Sequence, residues 1–285
     1  MLIKSKISVK WGPLMSISEV AAWNAVAEIY EANFESFTLQ FAQHTLETLT
    51  PSTPGRLLDI AAGAGGMALM AAQNQWRVTA IDFSPAFVTR IRNRAEHAGM
   101  TAMNLEALIM DGMNLAFPDR AFDAVCSVFG VMLFTQRFKA YKEIVRVLRP
   151  GGIVALAVWG PPSANEAQIL MSAAMDQAEL PSSAPPAWAA LTAYGAGEEE
   201  LREVGFISTT THTVEGRWNV PSVTWLWDVL PRVSPVSAML FEGLSTDEFS
   251  RLEEAYKSIA QSQYGDGSFA LSATAHIITG LKPEH

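Results

Sequence analysis

The chain has 285 residues, of which 49% are hydrophobic and 17% charged, a composition too apolar for a disordered polymer and a length that suits one large α/β domain or two smaller ones. Twenty basic against twenty-nine acidic residues leave a net charge of −9, a surface that repels phosphate backbones and argues against nucleic acid as a partner. The one cysteine, Cys126, excludes an intrachain disulfide and a multi-cysteine zinc site; with no secretory pattern and no apolar run of membrane-spanning length, the expected location is cytoplasmic.

Residues 1–15 carry Lys4, Lys6 and Lys10 and no acid; they are read as a disordered leader or extension. Residues 16–50 are read as N-terminal helices. Ser16 and Glu19 have capping-box spacing, and Val20, Trp23, Ala27 and Tyr30 recur at helical intervals. Phe34, Phe37, Phe41, His44 and Leu49 share a face of a second helix, with His44 taken as a core histidine. Pro51, Pro54 and Gly55 then interrupt the chain.

A different rhythm follows. Strands are expected at 56–60, 77–81, 104–110, 122–128 and 153–159, with helices from Gly66 to about Asn74, from Ser84-Pro85 to about His97 and from about Phe138 to Leu148. Apolar strands alternating with helices predict a doubly wound, mostly parallel, Rossmann-like α/β sheet covered on both faces. Beyond Trp159 the expectations are a helix near 165–179, a loop at 181–190 and two further strands at 206–214 and 269–281. The sheet then has seven strands, the last antiparallel. A helical cap insertion at about 218–264, carrying Trp218, Trp225, Trp227 and Phe249, completes a domain spanning 51–285.

The most informative stretch is Leu57-Leu58-Asp59-Ile60-Ala61-Ala62-Gly63-Ala64-Gly65-Gly66. A strand enters a turn of small residues and a helix starts at once, so a ligand can approach the backbone and the free N–H groups of the helix end. Gly63-x-Gly65-x-x-Ala68 also fits a dinucleotide fingerprint, which leaves an NAD-dependent oxidoreductase open. Asp59, Asp82 and Asp111 each mark the end of a successive strand. Three carboxylates in one crevice would repel a pyrophosphate, at about 4 kcal/mol per close like-charge pair. They suit a ligand with an ammonium, a sulfonium and ribose hydroxyls.

With those motifs in place, the stretch from Trp23 to Trp159 resembles the class I S-adenosylmethionine-dependent methyltransferases, in the branch similar to the ubiquinone and menaquinone C-methyltransferases. The resemblance rests on the glycine motif with Ala61 in place of its first glycine, on Ala80-Ile81-Asp82-Phe83-Ser84, on Asp111-Gly112-Met113 followed by Phe117-Pro118-Asp119, and on Arg146-Val147-Leu148-Arg149-Pro150-Gly151-Gly152. It implies S-adenosyl-L-methionine as cofactor and S-adenosyl-L-homocysteine as product. It further implies that Ala61, Gly63, Ala64 and Gly65 cradle the methionine part above Asp59, that Asp82 takes the ribose hydroxyls and that Phe83 lies against the adenine. By the same resemblance Asp111 accepts from the adenine amino group, Gly112 and Met113 complete that wall, Phe129 and Gly130 border the methyl donor, and Trp23 and Tyr30 close over the cofactor.

Methyl transfer needs alignment more than side-chain chemistry, and no general base stands out among His44, His97, His212, His276 and His285. None of these has metal-ligand spacing, so no metal is expected. Trp159, Phe37 and Trp225 are candidates to line the site of a small, hydrophobic methyl acceptor. A protein that holds the cofactor and transfers nothing is the second alternative.

Overall fold

The computed structural model describes residues 19–49, 55–181 and 186–284, so Ser16, the 1–15 segment and Pro51 and Pro54 lie outside the described residues. Two helices, α1 (Val20–Asn33) and α2 (Glu35–Thr48), lead into β1 (Arg56–Ile60), α3 (Gly66–Gln73), β2 (Arg77–Asp82), α4 (Pro85–His97) and β3 (Leu105–Ile109). The chain returns through β4 (Phe122–Val128), α5 (Arg137–Val147) and β5 (Leu148–Trp159). It continues with α6 (Glu166–Gln177), α7 (Ala196–Glu203), β6 (Ile207–Val220), α8 (Val223–Val229), α9 (Pro235–Ala238), α10 (Thr246–Tyr264) and β7 (Phe269–Leu281).

The seven strands form one sheet in the order β3-β2-β1-β4-β5-β7-β6. Strands β1 to β5 pair in parallel, and β7 runs antiparallel to both β5 and β6. The order reverses between β1 and β4, which places the crevice of a doubly wound sheet beyond the carboxyl ends of those strands. Alternation along β1 separates two cores. Leu58 and Ile60 join the face shared with α2, α5 and the cap, whereas Leu57, Ala124 and Cys126 pack beneath α3 and α4. Ser84 caps α4 as its sequence foretells, its Oγ accepting from Phe87 N at 3.3 Å with Pro85 next in line.

Several boundaries differ from the sequence expectation. Strand β5 begins at Leu148 rather than 153: Leu148 pairs with Phe122 before a register shift, and Gly151 (φ +71°) lets the chain turn within the strand. Trp218 is not part of the insertion. It lies in β6, which runs on to Val220 with Gly216, Trp218 and Val220 facing inward. The helical cap therefore starts at residue 221 and comprises α8, α9 and α10. Glycine occupies position 216 because the Phe41 ring crosses it, and a Cβ there would lie 2.5 Å from that ring.

Helix α2 is thus a structural crosspiece. Phe37 and Phe41 enter the core, and Gln40 exchanges two hydrogen bonds with the backbone of Arg217 on the edge strand β6, at 2.8 and 3.0 Å. The Trp218 indole N–H donates to Asn33 O at the end of α1, 3.0 Å away. His44 is no core histidine: Phe41, Thr45 and Leu49 take the inward face, leaving His44 44% exposed beside Glu47. No helix among the described residues is long and apolar enough to cross a membrane.

Phe41→Ala is expected to lower the unfolding free energy by about 3–5 kcal/mol, since a fully buried ring is removed. Gly216→Ala is expected to lower it by about 1–3 kcal/mol through overpacking against the same ring. Urea titration checks both, and a neutral Gly216→Ala would contradict the close α2–β6 contact.

Candidate functional site

The loop between β1 and α3 is wound tightly enough to present its backbone. Ala61, Gly63 and Gly65 have φ of +55°, +55° and +87°. For Ala61, standing where the resemblance has glycine, that costs about 1–2 kcal/mol. The loop is fixed at both ends: Ala62 N donates to Ile81 O at 3.0 Å and Gly65 N to Ala62 O at 2.9 Å. Across it lies Gly130 after β4, where an added Cβ would sit 2.4 Å from Ala61 Cβ. Ser127 Oγ holds that corner, donating to Ile60 O at 2.8 Å and accepting from Val131 N at 3.1 Å.

Asp59 ends β1 on the α3–α4 side and is 1% exposed. Its Oδ1 faces the Cys126 thiol at 3.6 Å, and Oδ2 is buried with no hydrogen-bond partner. Desolvation pushes its pKa up to about 7; the Cys126 contact opposes this and the charge of Asp82 adds to it. The Cys126 thiol is raised in turn by burial and by Asp59. Asp82 is 5% exposed and accepts from Gly63 N at 3.0 Å and Ser84 N at 2.9 Å. Burial lifts it to about 6 against the pull of the backbone N–H groups of Ser84, Gly63 and Phe83. Two carboxylates thus stand desolvated at neighbouring strand ends.

Asp111 is different. It is exposed, and its Oδ1 accepts from Met113 N at 2.8 Å within its own turn. Gly112 packs tightly, a Cβ there lying 2.7 Å from both Ile60 and Phe134. Met113 and Phe83 are half-buried. Trp23 and Tyr30 of α1 pack with Phe87 and Ala64, and the Tyr30 ring lies 3.8 Å from where a Gly63 Cβ would be. Tyr30 OH shares a hydrogen bond with Thr38 Oγ1 at 3.1 Å.

The candidate acceptor residues form a wall. Phe129 (φ +58°) stacks on Trp159 at 3.8 Å and 14°, and Trp159 stacks on Phe37 at 5.8 Å and 22°. Trp218 lies 6.1 Å and 13° from Phe37, with Trp225 edge-on to Trp218 at 6.0 Å. Phe37, Phe129 and Trp218 are buried, while Trp159 and Trp225 are half-buried. His276 is buried away from the loop, between Thr213 Oγ1 and Thr192 O, whereas His97 and His212 are exposed. Among the described residues no three metal-binding side chains converge.

Sequence reading missed Glu35 and Arg94. Glu35 Oε1 accepts from Gly66 N at 2.9 Å, and Arg94 Nη1 reaches Glu35 and Ala64 O at 2.7 Å each. Nothing local marks an acid and an arginine 59 residues apart as partners.

Because Asp59 and Asp82 have folded-state pKa values of about 7 and about 6, their contribution to stability is fully present below the ordinary carboxylate value. It is lost as pH rises through those folded values. The ligand-free protein is therefore expected to be less stable at pH 8 than at pH 5. Asp59→Asn should shift stability relative to the parent upward by about 2 kcal/mol over that interval. Urea unfolding at both pH values measures it, and a pH-independent difference would contradict the desolvated Asp59.

Residues 58–156 match the family described as methyltransferase domain. The demethylmenaquinone methyltransferase of Thermus thermophilus is 36% identical over 126 residues, 44% of this chain and 56% of that protein. The 2-methyl-6-phytyl-1,4-hydroquinone methyltransferase of Synechocystis is 29% identical over 189 residues, 64% of this chain and 54% of that protein. The chain thus spans about half the length of these relatives. A phosphoethanolamine N-methyltransferase of Haemonchus contortus, solved with phosphomonomethylethanolamine and S-adenosylhomocysteine, superposes with a TM-score of 0.57. It covers 96% of this chain and 61% of its own at 20% identity, a likeness of fold. The similarity to class I S-adenosylmethionine-dependent methyltransferases of the quinone-methyltransferase-like type is thus carried by residues 58–156, which match the methyltransferase-domain family.

Proposed function

We propose that this protein transfers a methyl group from S-adenosyl-L-methionine to a small hydrophobic acceptor by in-line displacement. The observation that carries the reading is the pair of desolvated carboxylates, one with an orphaned oxygen, beneath a glycine loop. An unpaired buried carboxylate is costly until a cation or donor meets it. The ammonium of the cofactor's methionine part meets that need at Asp59. Asp82 keeps free lone pairs on both oxygens after its backbone bonds, enough to accept from two ribose hydroxyls.

The remaining candidates take their roles from the same reading. Ala61, Gly63, Ala64 and Gly65 line the methionine part, with Phe129 and Gly130 bordering its methyl end. Phe83, Gly112 and Met113 flank the adenine. Asp111, exposed on its turn, keeps Oδ2 for the adenine amino group while Oδ1 holds Met113 N. Trp23 and Tyr30 cover the loop. The cofactor supplies a methyl carbon already activated by a sulfonium, so the chain's contribution is alignment, worth about 7–11 kcal/mol in well-oriented pairs. Trp159, Phe37 and Trp225 belong to the aromatic wall on the acceptor side, which favours an apolar, planar molecule over a charged one.

The dinucleotide alternative meets a specific obstacle. A pyrophosphate would need the N-terminus of α3, and the Glu35 carboxylate already accepts from Gly66 N there. Adding phosphate beside Glu35, Asp59 and Asp82 would set like charges together in a poorly solvated crevice.

Asp82→Ala is expected to weaken S-adenosylhomocysteine binding by about 1–3 kcal/mol in calorimetry, because a charged acceptor for two hydroxyls is lost. An unchanged dissociation constant would remove the ribose assignment. Incubation with S-adenosylmethionine and a panel of quinols, phenols, amines and thiols should release S-adenosylhomocysteine with at least one acceptor. Tight cofactor binding with no product across the panel would favour a binding protein, and tight NAD binding alone would favour the oxidoreductase.

A further inference from the structure

Helix α4 is fastened to the N-terminal helices along its whole length. Asn24 Oδ1 accepts from Ser84 Oγ at 2.6 Å and Ala86 N at 3.2 Å at the first turn. Midway, Arg90 pairs with Glu31 and, at 3.8 Å, with Glu28. At the last turn Arg94 meets Glu35 at 2.7 Å and Glu31 at 3.9 Å. Only the last of these contacts reaches the glycine loop.

Glu35 opens α2 and is 7% exposed. Its carboxylate closes the first free N–H of α3 at Gly66 and clamps Arg94, while the same Arg94 Nη1 donates to Ala64 O. Ala64 in the loop and Gly66 at its junction with α3 are therefore gripped, one through its carbonyl and one through its N–H, by a charge pair whose acid comes from a different helix. The approach is built in. A Cβ on Gly66 would lie 2.7 Å from Glu35 Oε1 and 2.5 Å from Leu39, so only glycine lets α2 come this close. Arg94 of the pair lines an open depression of about 630 Å³ together with Leu39, Gly66 and Asn93. The pair is a part-solvated junction rather than deep core.

We infer that Glu35, acting through Arg94, is a positioning residue for the cofactor loop, and that it couples docking of α1–α2 to the conformation of residues 61–66. Freeing α2 removes the acid, leaves Gly66 N–H and Arg94 without their partner and releases Ala64 O, so the loop loosens when the helices leave. By linkage, a ligand that orders the loop tightens the helices by the same factor. The coupling to ligand rests on the methyltransferase reading; the hold on the loop does not.

The test is amide hydrogen exchange on the full chain, with and without S-adenosylhomocysteine, for the parent, Glu35→Ala, Glu35→Gln and Arg94→Lys. Without ligand, Glu35→Ala should speed exchange at residues 61–66 about tenfold, and Glu35→Gln, which keeps an oxygen for Gly66 N, should recover part of that loss. In the parent, S-adenosylhomocysteine should slow exchange in α1 and α2 as well as in the loop. In Glu35→Ala its dissociation constant should rise about tenfold, and at saturation it should protect the loop but no longer the helices. A merely structural role would lower global stability and leave that helix protection intact, which overturns the coupling. Loop exchange within twofold of the parent in Glu35→Ala overturns the proposal. Should that variant fail to fold, the same result in Glu35→Gln and Arg94→Lys overturns it. Faster loop exchange in the variants, with a parent that binds no S-adenosylhomocysteine, supports the hold of Glu35 and sinks the methyltransferase reading.

Discussion

Taking two carboxylates out of water at adjacent strand ends is the constraint around which this fold is arranged. Asp59 and Asp82 are 1% and 5% exposed and their pKa values stand at about 7 and about 6. Packing alone does not demand a carboxylate at either position, since an asparagine would fill nearly the same space at a smaller desolvation cost. Backbone donors offset part of that cost at Asp82, where Gly63 N and Ser84 N reach the carboxylate. At Asp59 one oxygen has only a thiol and the other has nothing. Such a residual imbalance in a crevice at the sheet's switch point is what a cationic ligand relieves.

The surroundings serve the same arrangement. The loop takes left-handed turns at Ala61, Gly63 and Gly65, and its Gly63 N–H donates to Asp82. Gly130 and Gly112 let the neighbouring strand ends approach closely. Beyond them the rings of Phe129, Trp159 and Phe37 stack into an apolar wall. Helix α2 links these parts: Phe37 and Phe41 enter the wall, Gln40 satisfies the edge strand and Glu35 grips the loop.

What the sequence revealed follows from how local each signal is. Strands β1, β2 and β4 were legible because strands buried on both faces read as short apolar runs, and Ser84-Pro85 announced α4. Asp59 and Asp82 were legible from their place just after such runs. The extension of β6 was hidden because Glu215-Gly216-Arg217 breaks the apolar pattern, and the reason for Gly216 is a ring from α2. His44 fitted a helical stripe whose inward face is set by neighbours that periodicity does not name. Asp111 stood at the foreseen strand end, yet its exposure depends on the turn around it. Glu35 and Arg94 were invisible, since only the tertiary fold brings them together. The aromatic residues were foreseen as a group, but their mutual stacking depends on three separate elements.

The central claim is that the buried acids await a cation, and the pH dependence of S-adenosylhomocysteine binding tests it most directly. An acid with a pKa of about 7 when free must ionise to meet the ligand's ammonium, so affinity should rise about tenfold from pH 6 to pH 8 with proton release on binding. In Asp59→Asn that rise should largely vanish. Binding that is equally tight at both pH values and releases no proton would contradict the account.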